Sequence, residues 1–199
     1  MKKLIYLLLL PLVTLFVQDY SYADLWLGWR NDNATVSVFF TQSVTNSSTY
    51  TSIFNSAIAN WNNISSKVSL TKVSSSTSVG TFVYVSTTAT PWLLWMMFAY
   101  KTNSAGQVIQ DSTAVDLKWP RTDVYIYSNT MDSASMTTSQ KIANATHELG
   151  HTLKLAHPGL WTMRCSAIPS WQTSIMSQGI QSTWPQTYDK NDIKYKWGL

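Results

Sequence analysis

The pattern of polar and apolar positions marks five segments of the chain as strands. In Thr35–Phe40 the two kinds of residue alternate with a period of two, which is typical of a half-buried strand. Four further strands are predicted from their apolar and β-branched content, at Val68–Val73, Gly80–Val85, Trp92–Lys101 and Asp123–Tyr127. A predicted turn at Asn103–Gly106 follows the fourth of them.

Helical spacing of apolar residues predicts two long helices. The first runs from Tyr50 to about Ile64 and carries Ile53, Phe54, Ala57, Ile58 and Trp61 at helical intervals. The second begins at Thr137, because Thr137 and Gln140 have the spacing of a capping box. Its apolar stripe consists of Ile142, Ala145, Leu149 and Leu153. A short helix is predicted at Lys190–Lys196.

The first 23 residues have the pattern of a signal peptide. Lys2 and Lys3 precede an apolar run from Leu4 to Val17, and Ser21-Tyr22-Ala23 presents small residues at the positions that a signal peptidase recognises. We therefore expect cleavage after Ala23 and a single exported domain at 24–199, secreted or periplasmic. No stable membrane anchor is expected after cleavage, because the most apolar remaining stretch, 92–98, is far too short.

Composition excludes one class of function and one kind of cross-link. The net charge is only +4, and about +3 without residues 1–23, and no basic cluster with interleaved aromatic residues is present, so nucleic-acid binding is not expected. Cys165 is the only cysteine, so an intrachain disulfide is impossible; a buried apolar residue or an unpaired thiol joining two chains are the alternatives.

All three histidines lie between positions 147 and 157. His147 and His151 are four residues apart, so on a helix their rings share a face with Cβ atoms about 5–6 Å apart. One zinc ion can bridge that separation, and Glu148 can reach a metal-bound water without being a ligand. The motif predicts a zinc site with its own general base; a helix with merely solvated histidines is the alternative.

His157 cannot join this site from a continuous helix. Six residues past His151, it would lie about 240° round the helix and about 9 Å further along the axis. The chain is therefore predicted to leave the helix between them, and Pro158 favours this because a residue before proline avoids the α region. His157 could then return as a third ligand, which leaves a fourth tetrahedral position open, as in catalytic zinc sites.

Two later segments add to the histidine motif. Ser174-Ile175-Met176-Ser177 and the ending from Asp189 to Gly198, taken with the histidines, resemble the metzincin clan of zinc peptidases and, within it, the small secreted matrixin-like catalytic domains. The resemblance spans nearly the whole chain after residue 23. It implies an α+β, zincin-like fold with a twisted mixed five-stranded sheet, two long helices and a small C-terminal subdomain across a zinc cleft.

The resemblance also implies a role for each motif residue. His147, His151 and His157 would hold one catalytic Zn²⁺, Glu148 would be the catalytic base, and Met176 would be the apolar floor of a Met-turn. Ordinary core packing of Met176 is the alternative.

Three departures from the family pattern stand out. Lys154 occupies the position of a turn glycine, and a left-handed lysine would cost about 1–2 kcal/mol. Gln178 stands where astacin-like members have a tyrosine ligand. No inhibitory pro-segment is expected before the first strand, so an enzyme of this kind would be exported active or restrained by a protein inhibitor.

The activity that the resemblance implies is hydrolysis of protein or peptide substrates by a secreted zinc endopeptidase. Zinc lowers the pKa of a bound water to about 7, and Glu148 takes its proton and then passes it to the leaving amine. Substrate would lie extended along Trp92–Tyr100, although core packing of 92–98, or contact of this stretch with a membrane, is an alternative. The pocket beside the zinc would be walled by 177–184, but no substrate-binding residue is assigned.

Structural calcium is common in the resembling family, but no motif supports it in this chain. Asp111, Asp116 and Asp132 are scattered and lack the signature of a calcium loop.

Two other functions compete with a peptidase. The first is a non-catalytic exported zinc-containing protein that binds protein or carbohydrate through some of the ten tryptophans. Glu148 argues against it, because a scaffold needs no carboxylate at that position. The second is a deformylase-like zinc hydrolase, against which the signal peptide and the downstream position of His157 argue.

Overall fold

The computed structural model describes residues 34–76, 80–110, 119–158, 172–179 and 182–197. The predicted signal peptide at 1–23, together with Asp111, Asp116 and Cys165, lies outside the described residues. Within the described ranges, no helix combines the length and apolar character that a membrane span requires.

A mixed sheet of six strands forms the centre of the fold. Its order is β2-β1-β3-β6-β4-β5. The first four strands in that order are parallel to one another, and β4 is antiparallel to both β6 and β5. The strands are β1 (Ala34–Phe40), β2 (Val68–Val73), β3 (Gly80–Ser86), β4 (Trp95–Thr102), β5 (Val108–Gln110) and β6 (Arg121–Tyr127).

All five predicted strands are present, but the expected count of five strands was wrong by one. Val108–Gln110 follows the predicted turn and pairs with Tyr100–Thr102. Three residues are too few for a period-two pattern to stand out. The fourth strand also begins later than predicted, at Trp95, because residues 91–92 form a turn.

Five helices accompany the sheet in the described part of the chain. The two long helices and the C-terminal helix confirm the predictions, and the capping box is formed: Gln140 N–H donates to Thr137 Oγ1, and Thr137 N–H donates to Gln140 Oε1. Two short helices were not predicted. The helices are α1 (Gln42–Thr45), α2 (Ser48–Asn62), α3 (Ser128–Ser133), α4 (Thr138–Thr152) and α5 (Thr187–Trp197). The mixed composition agrees with the predicted α+β class.

The main core lies between one face of the sheet and the two long helices. Alternate residues of the central strands are buried there, as the period of two requires. Trp61 of α2 and Leu149 of α4 are among the largest fully buried side chains. Of the predicted stripe on α4, Ile142 is only partly buried. Because α4 contacts both β4 and β6, this core places the histidine-bearing helix beside β4.

The opposite face of the sheet carries a polar network that joins β4 to β6. The buried Asp123 carboxylate accepts hydrogen bonds from Arg121 Nε at 2.7 Å and Nη2 at 2.9 Å. It also accepts one from the Tyr100 hydroxyl at 2.8 Å. Burial and the neighbouring carboxylate raise the pKa of Tyr100, so this hydroxyl remains a donor and helps to hold β4 in register.

Candidate metal centre

Helix α4 presents His147, Glu148 and His151, and α2 holds the helix one residue before them. Trp61 Nε1 donates a hydrogen bond to the Thr146 carbonyl at 2.7 Å. Asn60 Nδ2 donates to Thr146 Oγ1 at 3.0 Å. These long-range contacts fix the turn of α4 from which the first two histidines project.

The chain leaves α4 immediately after Thr152, which confirms the predicted break before His157. Lys154 has φ of 66°. Its N–H donates to the His151 carbonyl, and Leu155 N–H donates to the Gly150 carbonyl. This is the Schellman arrangement that usually has glycine at the left-handed position. The break therefore comes from the left-handed residue, four positions before Pro158, and not from the proline.

The side chain of Lys154 is fully buried, although lysine ordinarily lies at the surface. Its Nζ lies 3.4 Å from the centroid of the Trp119 ring, within the range of a cation–π interaction. This contact offsets part of the strain of a non-glycine residue in the left-handed region.

The turn brings the three histidine rings together. His157 Nε2 lies 2.9 Å from His147 Nε2 and 3.2 Å from His151 Nε2. The nitrogens that the three rings offer all lie within 4.8 Å of one another. In a tetrahedral zinc site with Zn–N bonds of 2.0–2.1 Å, the ligand nitrogens are about 3.3 Å apart. The three rings therefore have the spacing of a metal site, and could hold a metal ion.

Hydrogen bonds at the far side of two rings determine their tautomers. His147 Nδ1–H donates to the Ile175 carbonyl, and His151 Nδ1–H donates to the Leu155 carbonyl, each at 2.7 Å. A carbonyl oxygen only accepts, so in both neutral rings the Nε2 atom keeps its lone pair. Both Nε2 lone pairs are therefore available to a metal ion.

Burial keeps these rings neutral. It lowers the pKa of His147 to about 4, with a further contribution from nearby His157. Burial also lowers the pKa of His151, well below its usual value, and that of His157. The neutral imidazole is the form that binds metal.

Glu148 lies beside the histidines in a buried environment. Its side chain is only 2% exposed, and Oε1 lies 3.9 Å from His147 Nε2. Burial raises its pKa well above the usual value, because a carboxylate loses its hydration there. A metal ion held by the three histidines would bind a water molecule, and the neighbouring Glu148 could take a proton from that water.

Met176 packs beneath the helix that carries His147 and His151. Gly150 has no side chain, and a Cβ atom there would overlap Met176 Sδ and come within 2.7 Å of Trp61 Cζ2. The methionine is almost completely buried. Its position therefore depends on a glycine within the histidine motif.

Sequence reasoning missed Asp189 as a site residue. Its buried carboxylate accepts hydrogen bonds from Ser174 Oγ at 2.5 Å, Ile175 N at 3.0 Å and Gln186 N at 2.6 Å. Because the Ile175 carbonyl holds His147, Asp189 connects the start of α5 to the first histidine. An acidic residue immediately before the predicted helix at Lys190–Lys196 was the available signal, but it did not identify the partner segment.

Two further predictions concern residues around the centre. The predicted wall at 177–184 is only partly described: Ser177 is buried beside Met176, whereas Trp184 lines a shallow depression with Asn63 at the end of α2. Asp132, one of the three acids considered for calcium, accepts from Lys141 Nζ at 2.5 Å. Among the described residues, the histidine triad is the cluster that could hold a metal ion.

Comparison of the sequence with models of known protein families finds no matching family. A search among curated proteins likewise finds no similar sequence.

Proposed function

We propose that this protein is an exported zinc-dependent endopeptidase of the metzincin type. The convergence of three imidazole nitrogens beside the buried Glu148 is the observation that supports it most strongly. The export part of the proposal rests on the predicted signal peptide at 1–23.

The donor set favours zinc in a catalytic rather than a purely structural role. Neutral imidazoles suit zinc, and three protein ligands with a free fourth position are typical of catalytic sites. Within the described part of the chain, no fourth His, Cys, Asp or Glu joins the cluster. When bound, zinc supplies a Lewis acid that polarises the attacking water and the substrate carbonyl.

The chain's own residues then move the proton and orient the site. Glu148 accepts the proton of the attacking water and passes it to the leaving amine. The Ile175 and Leu155 carbonyls orient the rings of His147 and His151. Met176, which packs against α4 at Gly150, would be the apolar floor of the site.

Strand β4 offers a place for an extended substrate. It pairs with β6 through Trp95–Tyr100, but with β5 only through Tyr100–Thr102. Among the described residues, the backbone of 95–99 therefore has one unpaired edge. The rings of Trp95 and His147 have centroids 5.9 Å apart, so a peptide added along this edge would pass beside the histidines.

The decisive experiment compares the purified 24–199 chain with Glu148→Gln, using casein hydrolysis and bound zinc as readouts. The variant keeps the size of the side chain but removes the base, so we expect zinc to be retained and cleavage to fall roughly 10²- to 10⁴-fold. Asp132→Asn is the matched control, because it removes an acid from an exposed ion pair, and it should leave cleavage unchanged.

Each other outcome argues against a specific part of the proposal. A chain without zinc would reject the metal site. Equal cleavage by the parent and Glu148→Gln would reject the base. Zinc in both with cleavage by neither would favour the non-catalytic zinc-containing binding protein.

A further inference from the structure

A shallow depression lies where the end of α2 meets the segment that leads into α5. Its volume is about 280 Å³, near the lower limit of the roughly 300–1,000 Å³ that small-molecule sites occupy. None of its lining residues is a proposed metal ligand, so the depression forms no part of the proposed zinc site. The lining residues are Asn60, Asn63, Ile64, Trp184, Pro185 and Lys190.

Trp184 offers a flat apolar surface in this depression. Its side chain is 61% exposed, although tryptophan is one of the more deeply buried residue types on average. Ile64 and Pro185 are partly buried and add apolar surface to the lining. A ligand with a flat face of C–H bonds would remove the tryptophan ring from water.

Two amides and an ammonium group complete the lining. Asn60 Nδ2 donates to Thr146 Oγ1 at 3.0 Å, which fixes the side chain and leaves its carbonyl oxygen as an acceptor. Within the described part of the chain, the side-chain amide of Asn63 makes no hydrogen bond and the ammonium of Lys190 makes no ion pair. These groups can accept and donate hydrogen bonds at the rim of a ligand.

Exposed charge near the depression is positive. Lys190 and Lys194 are both exposed on α5, whereas the neighbouring Asp189 is fully buried and its carboxylate already accepts hydrogen bonds from the protein. Elsewhere in the described ranges, the one acid that is not buried is Asp132, and it pairs with Lys141. The buried acids are Asp123, Glu148, Asp189 and Asp192. An anionic ligand would therefore meet an attractive field and no exposed, unpaired carboxylate among these residues.

We propose that the depression binds one hexuronate unit of an acidic polysaccharide. A pyranose ring presents C–H bonds on one face and hydroxyl groups at its rim, which match the Trp184 ring and the two asparagine amides. The carboxylate of the uronate would pair with Lys190 in a charge-assisted hydrogen bond. A neutral sugar would leave the ammonium without a partner, and an acidic peptide would offer no comparable flat face. This binding does not depend on peptidase activity.

Titration calorimetry of the purified 24–199 chain with short oligomers of galacturonate and of mannuronate tests the class of ligand. Their methyl esters keep the rings and remove the charge, and a glutamate oligomer of equal charge lacks the rings. We expect saturable binding of at least one uronate oligomer, roughly threefold to fivefold weaker binding of its methyl ester, and no saturable binding of the glutamate oligomer.

Each other result of these titrations argues against the proposal. No binding of any uronate oligomer would overturn it. Equal binding of acid and ester would remove the role of the carboxylate. Equal binding of the glutamate oligomer would show that charge alone attracts the ligand, and would overturn saccharide recognition.

Substitution of the exposed tryptophan tests the position of the site. Trp184→Ala should weaken binding of the uronate oligomer roughly fivefold to tenfold, because it removes the flat apolar surface. Trp92→Ala is the matched control, since Trp92 is 81% exposed in the loop before β4, outside the depression, and it should bind as the parent does. Unchanged binding by Trp184→Ala would overturn the assignment of the depression.

Two lysine variants test the pairing with the carboxylate. Lys190→Gln should bind the uronate oligomer and its methyl ester equally, because the partner of the carboxylate is gone. Lys194→Gln removes the same charge one turn further along α5, outside the lining, and should keep the preference for the acid. Both lysines are exposed, so neither replacement disturbs the core. Loss of the preference to the same extent in both variants would indicate diffuse attraction and overturn the pairing with Lys190.

Discussion

His147 and His151 are held in place by different physical means from His157. The first two project from one face of α4, so their separation follows from helix geometry. Their outer nitrogens are also bonded to the Ile175 and Leu155 carbonyls. The third reaches the same point only because the chain reverses at Lys154, with φ of 66°.

A regular helix positions two of the three histidines, and a strained turn positions the third. The helical pair is fixed by regular hydrogen bonding and by the contacts of Thr146 with α2. The position of His157 depends on a backbone conformation that is strained for lysine, and the cation–π contact of Lys154 with Trp119 offsets part of that strain. Substitutions can therefore weaken the two parts of the site separately.

The largest effect is expected from removing one histidine of each kind. His151→Ala and His157→Ala should each lower zinc affinity at least roughly 100-fold. Loss of a residue that only supports a metal ligand already lowers the affinity by up to about 100-fold, and loss of the ligand itself should cost at least as much. We expect the larger loss for His151, whose ring is buried and oriented by Leu155. Competition with a chelator of known affinity measures the zinc affinity of both variants.

Thermal unfolding with and without zinc gives an independent check of these two variants. Zinc should raise the midpoint of thermal unfolding of the parent, because an ion that binds only the folded state stabilises that state. It should leave the midpoint of both variants unchanged. Gln178→Ala, at an exposed site, should behave as the parent does. A variant that bound zinc as tightly as the parent would remove that ring from the ligand set.

A smaller effect is expected from Asp189, whose carboxylate holds the segment that orients His147. Ile175 N and Gln186 N both donate to one carboxylate oxygen of Asp189, and Ser174 Oγ donates to the other, so the NH₂ group of Asp189→Asn must face either the backbone donors or the Ser174 hydroxyl and cannot accept from them. Leaving such donors unsatisfied should lower the free energy of unfolding by about 2–3 kcal/mol, measured by denaturant titration without zinc. Because Ile175 orients His147, zinc affinity should fall as well, roughly 10- to 100-fold.

Asp132→Asn is the control for this prediction. It lies in a partly exposed ion pair with Lys141, so its effect on stability should stay below about 1 kcal/mol. Lower stability of Asp189→Asn with unchanged zinc affinity would show that Asp189 supports the fold without orienting His147.

The features that the sequence could predict are those that depend on regular spacing of nearby residues. Five strands, two long helices and the capping box at Thr137 depend on residues close together in the chain, and all are present. The shared face of His147 and His151 follows from the same regularity, and so does the need to leave the helix before His157. Val108–Gln110 is too short to show a pattern.

Features that depend on distant packing were not predictable in the same way. Asp189 and Ile175 are 14 residues apart in the chain, and no periodicity connects a turn to the start of a later helix. Trp119 and Lys154 are also distant in sequence, and lysine is rarely fully buried. Lys154 stands where the family pattern has a turn glycine, so the sequence could indicate a left-handed conformation there. Only the fold shows that Trp119 contacts the lysine side chain.

The smallest predicted effect distinguishes the left-handed strain at Lys154 from the contact of its side chain with Trp119. Lys154→Gly relieves the left-handed strain but removes the interaction with Trp119, so we expect a net loss of about 1–2 kcal/mol in the free energy of unfolding. Lys154→Ala loses the contact and keeps most of the strain, so it should be less stable than the glycine variant by about 1 kcal/mol. Denaturant titration of the three zinc-free proteins gives both differences. If Lys154→Gly were more stable than the parent, the left-handed strain would outweigh the contact with Trp119. Lys154 would then destabilise the turn that positions His157.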